Sequence, residues 1–168
     1  MPRLLTPDIF VAPSAREAAR DHGDDPMPMY NNALVGLADA DLAGYVRALL
    51  AEACECTPRS SGVVPSTHLW WVEGDTFLGR VNIRHRLTTA LQYSGGHLGY
   101  HVVQPYRRRG HATAMLAAAV PVAVALGIER LLLICDADNV ASRKVIEANG
   151  GLLHDRRAGK LRFWVPTI

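Results

Sequence analysis

The chain has 168 residues, 49 % apolar and 20 % charged, with a formal net charge of +2; at this size and composition one hydrophobic core forms, and a disordered or fibrous chain is excluded. So small a positive excess gives no electrostatic footprint for nucleic acid. Three cysteines, Cys54, Cys56 and Cys135, form no framework of pairs, which points to a reducing, cytoplasmic setting, and Cys54 and Cys56 lack a second Cys or His pair at zinc-ligand spacing, so no metal is expected.

Residues 3 to 11 read as a short first strand, held to an edge by Pro7, and Pro7, Asp8 and Pro13 interrupt the early apolar residues where a secretory leader would need them unbroken. Ser14 with Glu17 three positions on has the form of a capping box, for a helix ending near Gly23, and Asp24 to Pro28 breaks the pattern. A second helix is expected from about Asp39 to Cys54, where Leu42, Tyr45, Val46, Leu49 and Leu50 recur on one stripe. Thr57 to Pro65 is loop. From His68 the chain turns β-rich. Residues 68 to 73 and 76 to 87 join through Glu-Gly-Asp as a hairpin, with Phe77, Gly79, Val81 and Ile83 alternating along one face. Adjacent Trp70 and Trp71 must face opposite sides, so one lies on a second surface, lining a groove or covered by a helix or subunit.

Gly95-Gly96 opens a third strand over residues 97 to 103, and an alanine-rich helix follows to about Leu126, with Gly127 just past its end. Residues 110 to 128 carry no charged side chain, as a membrane span would. Alanine dominates them and Pro121 interrupts, so they read as a core helix, and no membrane partner is expected. An apolar strand over 130 to 135, a helix capped by Asp138 or Asn139 and ended by Asn149-Gly150-Gly151, and strands over 152 to 154 and 160 to 165 around an Arg-Arg-Ala-Gly turn complete the chain. Hairpins feeding strand, helix, strand, helix, strand imply an α/β fold, a mixed sheet with helices on both faces.

The most informative stretch is 99 to 113, where a strand breaks into an arginine-rich turn just before the alanine helix. The first N–H groups of a helix lack intrahelical partners and carry the positive end of its dipole, so such a junction cradles an anion. Gly110 leaves room for close backbone approach, Ala112 keeps the next turn slim, and Arg107, Arg108 and Arg109 bring forked donors that suit phosphate, although three consecutive side chains cannot all face one ligand. The charge is also uneven. Residues 1 to 60 hold five Arg against nine acids, and residues 61 to 168 hold thirteen Arg and Lys against seven. Either both halves have solvated polar faces, or the basic half holds a polyanion and the acidic half attracts a cationic amine.

This stretch resembles the acyl-CoA-binding motif of the GNAT N-acetyltransferase superfamily, in which Gln or Arg, two residues, Gly, one residue, then Gly or Ala follow; Arg107, Gly110 and Ala112 meet it. Residues 96 to 103 upstream, and 131 to 139 and 142 to 151 downstream, are similar to that family's neighbouring strand, next strand and helix, so the resemblance spans roughly residues 68 to 165. It implies a splayed sheet of six to seven strands in one acyltransferase domain over 1-168, with acceptor-side helices in 1-66 and the cofactor-binding core in 67-168. It further implies acetyl-CoA as cosubstrate, with contacts from Val102, Val103, Arg107, Arg108, Arg109, Gly110, His111, Ala112, Thr113, Asn139 and Ser142, and direct transfer to a primary amine, on a small molecule or a peptide. Homodimers are frequent among relatives.

Ile146 stands where many relatives carry the tyrosine that protonates the departing thiolate. His97 occupies the strand position where many place a glutamate base, and a histidine suits proton abstraction near neutral pH. Tyr100 is a second candidate acid. Each has a plainer reading: Asn139 as a helix cap, Ser142 as a surface hydroxyl, His97 as a hydrogen-bonding residue of the sheet, Tyr100 as a core aromatic, Cys135 as inert packing. With its usual acid missing, the chain has a rival reading as a non-catalytic acyl-CoA-binding or regulatory module.

Overall fold

The computed structural model describes residues 1 to 21 and 32 to 167. In chain order it holds β1 (Arg3–Leu5), α1 (Ala12–Asp21), α2 (Asn32–Val35), α3 (Leu42–Ala51), β2 (Ser66–Glu73), β3 (Thr76–Arg84), α4 (Thr89–Tyr93), β4 (Leu98–Val102), α5 (His111–Ala125), β5 (Arg130–Asp136), α6 (Val140–Ala148), β6 (Leu152–Arg157) and β7 (Lys160–Pro166). The strands form two antiparallel sheets, in the orders β1-β2-β3-β4 and β5-β7-β6. The expected mixed α/β architecture is therefore present, with the sheet divided between β4 and β5.

Main-chain hydrogen bonding links the two sheets at one end. The His97 N–H donates to Leu132 O at 2.8 Å, and the Leu132 N–H donates to His97 Nδ1 at 2.9 Å. Gly96 lies at φ 63°, so close to β5 that a Cβ there would fall 2.3 Å from Leu132 O. Beyond this pin no ladder joins β4 to β5. Gly96→Ala combines left-handed backbone with a clash against main chain. It is expected to cost about 3 kcal/mol or more, a fall of roughly 6–12 °C in the thermal midpoint; a midpoint within about 2 °C of wild type would mean that the pin yields.

A larger core lies on the face covered by α5 and α6, where Val81, Ile83, Leu98, Met115, Leu116, Leu131, Leu133, Ile146 and Phe163 meet. A smaller one joins α1 and α3 to the opposite face of β2 and β3 through Ala15, Leu42, Val46, Trp70 and Phe77. The two tryptophans divide between them, and each is covered by helices of this chain. Trp70 meets Phe77 edge-on, with ring centroids 5.5 Å apart, and Trp71 packs beneath α5.

Several expectations are corrected. The β2–β3 ladder slips between Trp71 and Val72, which pair with Gly79 and Phe77, so Leu78 is an extra residue. This bulge turns Phe77 toward α1 and α3 while Val81 and Ile83 face α5, so the four do not share one face. Ser14 is no cap: α1 starts two residues earlier, Asp8 O accepts the Val11 and Ala12 N–H groups, and the Ser14 hydroxyl accepts the Phe77 N–H at 3.0 Å. The first strand ends at Leu5. α3 stops at Ala51, and Leu50 is exposed while Leu42, Val46 and Leu49 are buried and Tyr45 packs against the same core. Cys54 and Cys56 are not free thiols; the turn after α3 brings their Cα atoms to 5.2 Å and they form a disulfide. The expected end of the first helix near Gly23 and the break at Asp24 to Pro28 lie outside the described residues.

The alanine helix forms α5 with Met115, Leu116, Ala119 and Ala123 buried, and no helix among the described residues is long and apolar enough to cross a membrane.

Candidate functional site

Beyond β4 a 3-10 turn over Gln104–Tyr106 leads to Arg108 at φ 62° and Gly110 at φ 81°, and the chain enters α5. The first helical bond runs from the Ala114 N–H to Gly110 O, so the N–H groups of His111, Ala112 and Thr113 have no acceptor in the preceding turn. A Cβ on Gly110 would meet no atom within 4 Å. The glycine is thus required by its backbone angle, and the space above the helix start is open, as an anion cradle needs. Below it, Trp71 Nε1 donates to His111 Nδ1 at 3.2 Å, which leaves the ring's proton on Nε2 and anchors the helix start to β2.

The three arginines diverge. Arg107 turns back, with Nε donating to Val102 O at 2.8 Å and Nη2 lying 3.0 Å from His101 Nε2. Arg109 lies over the Tyr106 ring, 6.0 Å from its centroid. Arg108 is exposed on the cradle rim.

The free edge of β4 leads into this cradle. The Arg84 N–H donates to His97 O and the Val103 N–H to Leu78 O. In an antiparallel ladder such bonds fall on alternate residues, so residues 97, 99, 101 and 103 engage β3 while the main-chain groups of Leu98, Tyr100 and Val102 point into the gap toward β5. Val103 is thus spent on the sheet, and its carbonyl accepts from the Tyr106 N–H. Val102 is the residue at the opening.

Across the gap, Asn139 caps α6, its Oδ1 accepting the Ser142 N–H at 3.0 Å. The Tyr100 hydroxyl lies 2.7 Å from Ser142 Oγ and 3.3 Å from Ser142 O. Burial pushes the Tyr100 phenol up to about 12 against a smaller opposing pull from the Ser142 hydrogen bond. Burial likewise pushes the Cys135 thiol up, against a smaller opposing pull from the nearby Ser142 hydroxyl. Ile146 sits one turn beyond Ser142 on α6 and is packed in the larger core. The structure therefore groups Tyr100, Ser142 and Cys135 at the open gap. A local sequence pattern holds no signal for the Tyr100–Ser142 contact, because α5 and β5 intervene.

His97 lies at the closed end, about 10 Å along the strand from Tyr100. It lines an open groove of about 400 Å³ with Arg86, Arg130 and Trp164. Its Nδ1 is occupied by the Leu132 N–H, so the neutral ring carries its proton on Nε2. Burial, then the Arg84 charge, pushes its pKa down to about 4. In the unfolded chain the ring titrates at about 6.5, so between these values the unfolded state binds more protons. The resulting stability is present above about pH 6.5 and lost as pH falls toward 4. In His97→Gln that part of the pH dependence is expected to vanish, narrowing the gap in thermal midpoint from wild type between about pH 7 and pH 4.5. A gap constant over that range would show that His97 does not titrate there.

A divided sheet with a strand edge running into an open helix start defines the acetyltransferase class of fold. Residues 37–151 match the family model for the acetyltransferase (GNAT) domain, and the chain belongs to that family. Solved structures similar to it include the microcin C7 self-immunity acetyltransferase MccE in complex with acetyl-CoA and AMP, at TM-score 0.68 and 12 % identity over 98 % of this chain and 92 % of that one. Another is yncA from Salmonella typhimurium with its cofactor acetyl-CoA, at 0.64 and 10 % over 99 % and 94 %. A third is the ribosomal L7/L12 α-N-protein acetyltransferase RimL in complex with coenzyme A, at 0.62 and 14 % over 97 % and 92 %. At such identities the likeness shows the fold alone. No curated protein matches the chain.

Proposed function

We propose that the protein is an N-acetyltransferase that moves the acetyl group of acetyl-CoA to a primary amine by direct attack within a ternary complex. The observation that carries this reading is the continuity of the open β4 edge with the unpartnered N–H groups at the start of α5. Acetyl-CoA supplies an acetyl thioester on an amide-bearing arm that ends in a diphosphate. The N–H groups of His111, Ala112 and Thr113 would hold the diphosphate beside Gly110, with Arg108 and Arg109 at the rim. The main chain of Leu98, Tyr100 and Val102 offers the arm a row of amide partners. Asn139 and Ser142 border the same gap on α6.

The chain's chief contribution is position. Holding the amine at near-attack distance removes most of the entropic barrier, and main-chain N–H groups aimed at the thioester carbonyl stabilise charge developing on its oxygen. The amine must be neutral to attack, and it loses its proton to water, because we assign His97 to pinning the sheets, its Nδ1 being already spent. The Tyr100 hydroxyl protonates the departing thiolate. α1 and α3 cover the opposite face of β2 and β3, and we assign the acceptor side to the helices of that face. Structures of the same fold named as a ribosomal L7/L12 α-N-protein acetyltransferase and a microcin C7 self-immunity acetyltransferase make a peptide amine and a small-molecule amine the two classes to test.

Incubating the protein with acetyl-CoA, a panel of peptide and small-molecule amines and a thiol reagent is expected to release coenzyme A only when an acceptor is present. Acetyl-CoA binding without release across the panel would instead favour the non-catalytic module.

A further inference from the structure

Arg107 belongs to the cradle by sequence and departs from it in space. Its guanidinium folds back along the end of β4, bonding Val102 O through Nε and His101 Nε2 through Nη2, while Arg108 and Arg109 stay outside. Arginine only donates, so His101 Nε2 is the acceptor and that buried ring is neutral, with its proton on Nδ1. The two contacts fix consecutive residues on different sides of the strand: the main-chain oxygen of Val102 at the gap, and the side chain of His101 on the α1–α3 face.

Val102 O is the carbonyl of the open edge nearest the cradle. We propose that Arg107 is a positioning residue that closes this carbonyl and so sets the register in which the cofactor arm lies along β4. The inference rests on the acetyl-CoA reading and assigns Arg107 to the arm, away from the diphosphate. A charged N–H donor holds a carbonyl more strongly than a neutral amide does, so an arm amide does not displace it. The arm pairs instead with the Val102 N–H and the main chain of Tyr100, which brings its thiol end toward the Tyr100 hydroxyl. The motif's first position takes Gln or Arg, which share N–H donors and differ in charge. A carbonyl contact asks for the donor; a phosphate contact favours the charge.

Arg107→Gln and Arg107→Lys separate the two, since glutamine keeps a donor amide and lysine keeps the charge without the fork. Calorimetry would use acetyl-CoA and, as a probe with diphosphate but no arm, adenosine 3′-phosphate 5′-diphosphate. Expected is near wild-type acetyl-CoA affinity for Arg107→Gln, a loss of about tenfold or more for Arg107→Lys, and less than about twofold change for the armless probe in either. Arg109→Ala should weaken both ligands. The proposal is overturned if lysine preserves acetyl-CoA binding and glutamine does not, or if both ligands weaken together in the Arg107 variants. Wild-type protein that binds neither ligand would remove the cofactor reading itself, and the register with it.

Discussion

Gly110→Val is expected to lower acetyl-CoA affinity by about 10²-fold or more, which is roughly 2.7 kcal/mol, while the chain still folds. Two effects act together. At φ 81° a β-branched residue occupies forbidden backbone, which costs about 1–3 kcal/mol, or roughly 2–12 °C in thermal midpoint for a domain of this size. The second effect is specific to the ligand. Because nothing of the protein lies within 4 Å of a Cβ at this site, the added side chain takes up only the open space over the helix start, where the diphosphate is proposed to sit. Gly110→Ala should fall between wild type and valine on both counts. Calorimetry with acetyl-CoA beside a thermal melt reads the two separately, and a valine variant that melts low yet binds normally would move the diphosphate elsewhere.

The strand–turn–helix junction proposed as the cradle was legible in the sequence because everything that makes it is local. A strand, a turn with Gly110 and a helix start within fifteen residues, and the position of Gly110 ahead of an alanine run announces the junction. The cap at Asn139 and the chain reversal at Gly74 were legible for the same reason. What the sequence concealed depends on residues far apart along the chain. Period-two alternation cannot locate the bulge at Leu78, which follows from how β2 and β3 seat against two different cores. Ser14 has the pattern of a cap and is taken instead by the Phe77 N–H. Arg107, Arg108 and Arg109 are alike as forked donors in the sequence; the Val102 carbonyl, five residues back along a strand end, draws Arg107. The division of the sheet follows in the sequence only from a family resemblance, and the Gly96–His97 contact with Leu132 that bounds it joins residues 35 apart in the chain.

Tyr100→Phe is expected to lower kcat by about 10²-fold, with little change in the KM for acetyl-CoA or in thermal midpoint, because it removes a proton donor and leaves the packed ring in place. With Ile146 in the core, the Tyr100 hydroxyl, held 2.7 Å from Ser142 Oγ, is the phenol that reaches α6 at the gap. An acid whose pKa is raised to about 12 is weak against a thiolate in water. Inside the gap the comparison changes, since burial that disfavours tyrosinate also disfavours a thiolate, as it does for Cys135. Donor and leaving group rise together, and the proton transfer stays near balance. Because Tyr100 keeps its proton to about pH 12, wild-type kcat should climb as the amine deprotonates and then hold level through about pH 10. Ser142→Ala, which loosens the phenol without deleting it, should give a smaller fall, about tenfold. A phenylalanine variant with wild-type kcat, or a wild-type profile that falls with an apparent pKa near 8.5, would transfer the acid role to another group.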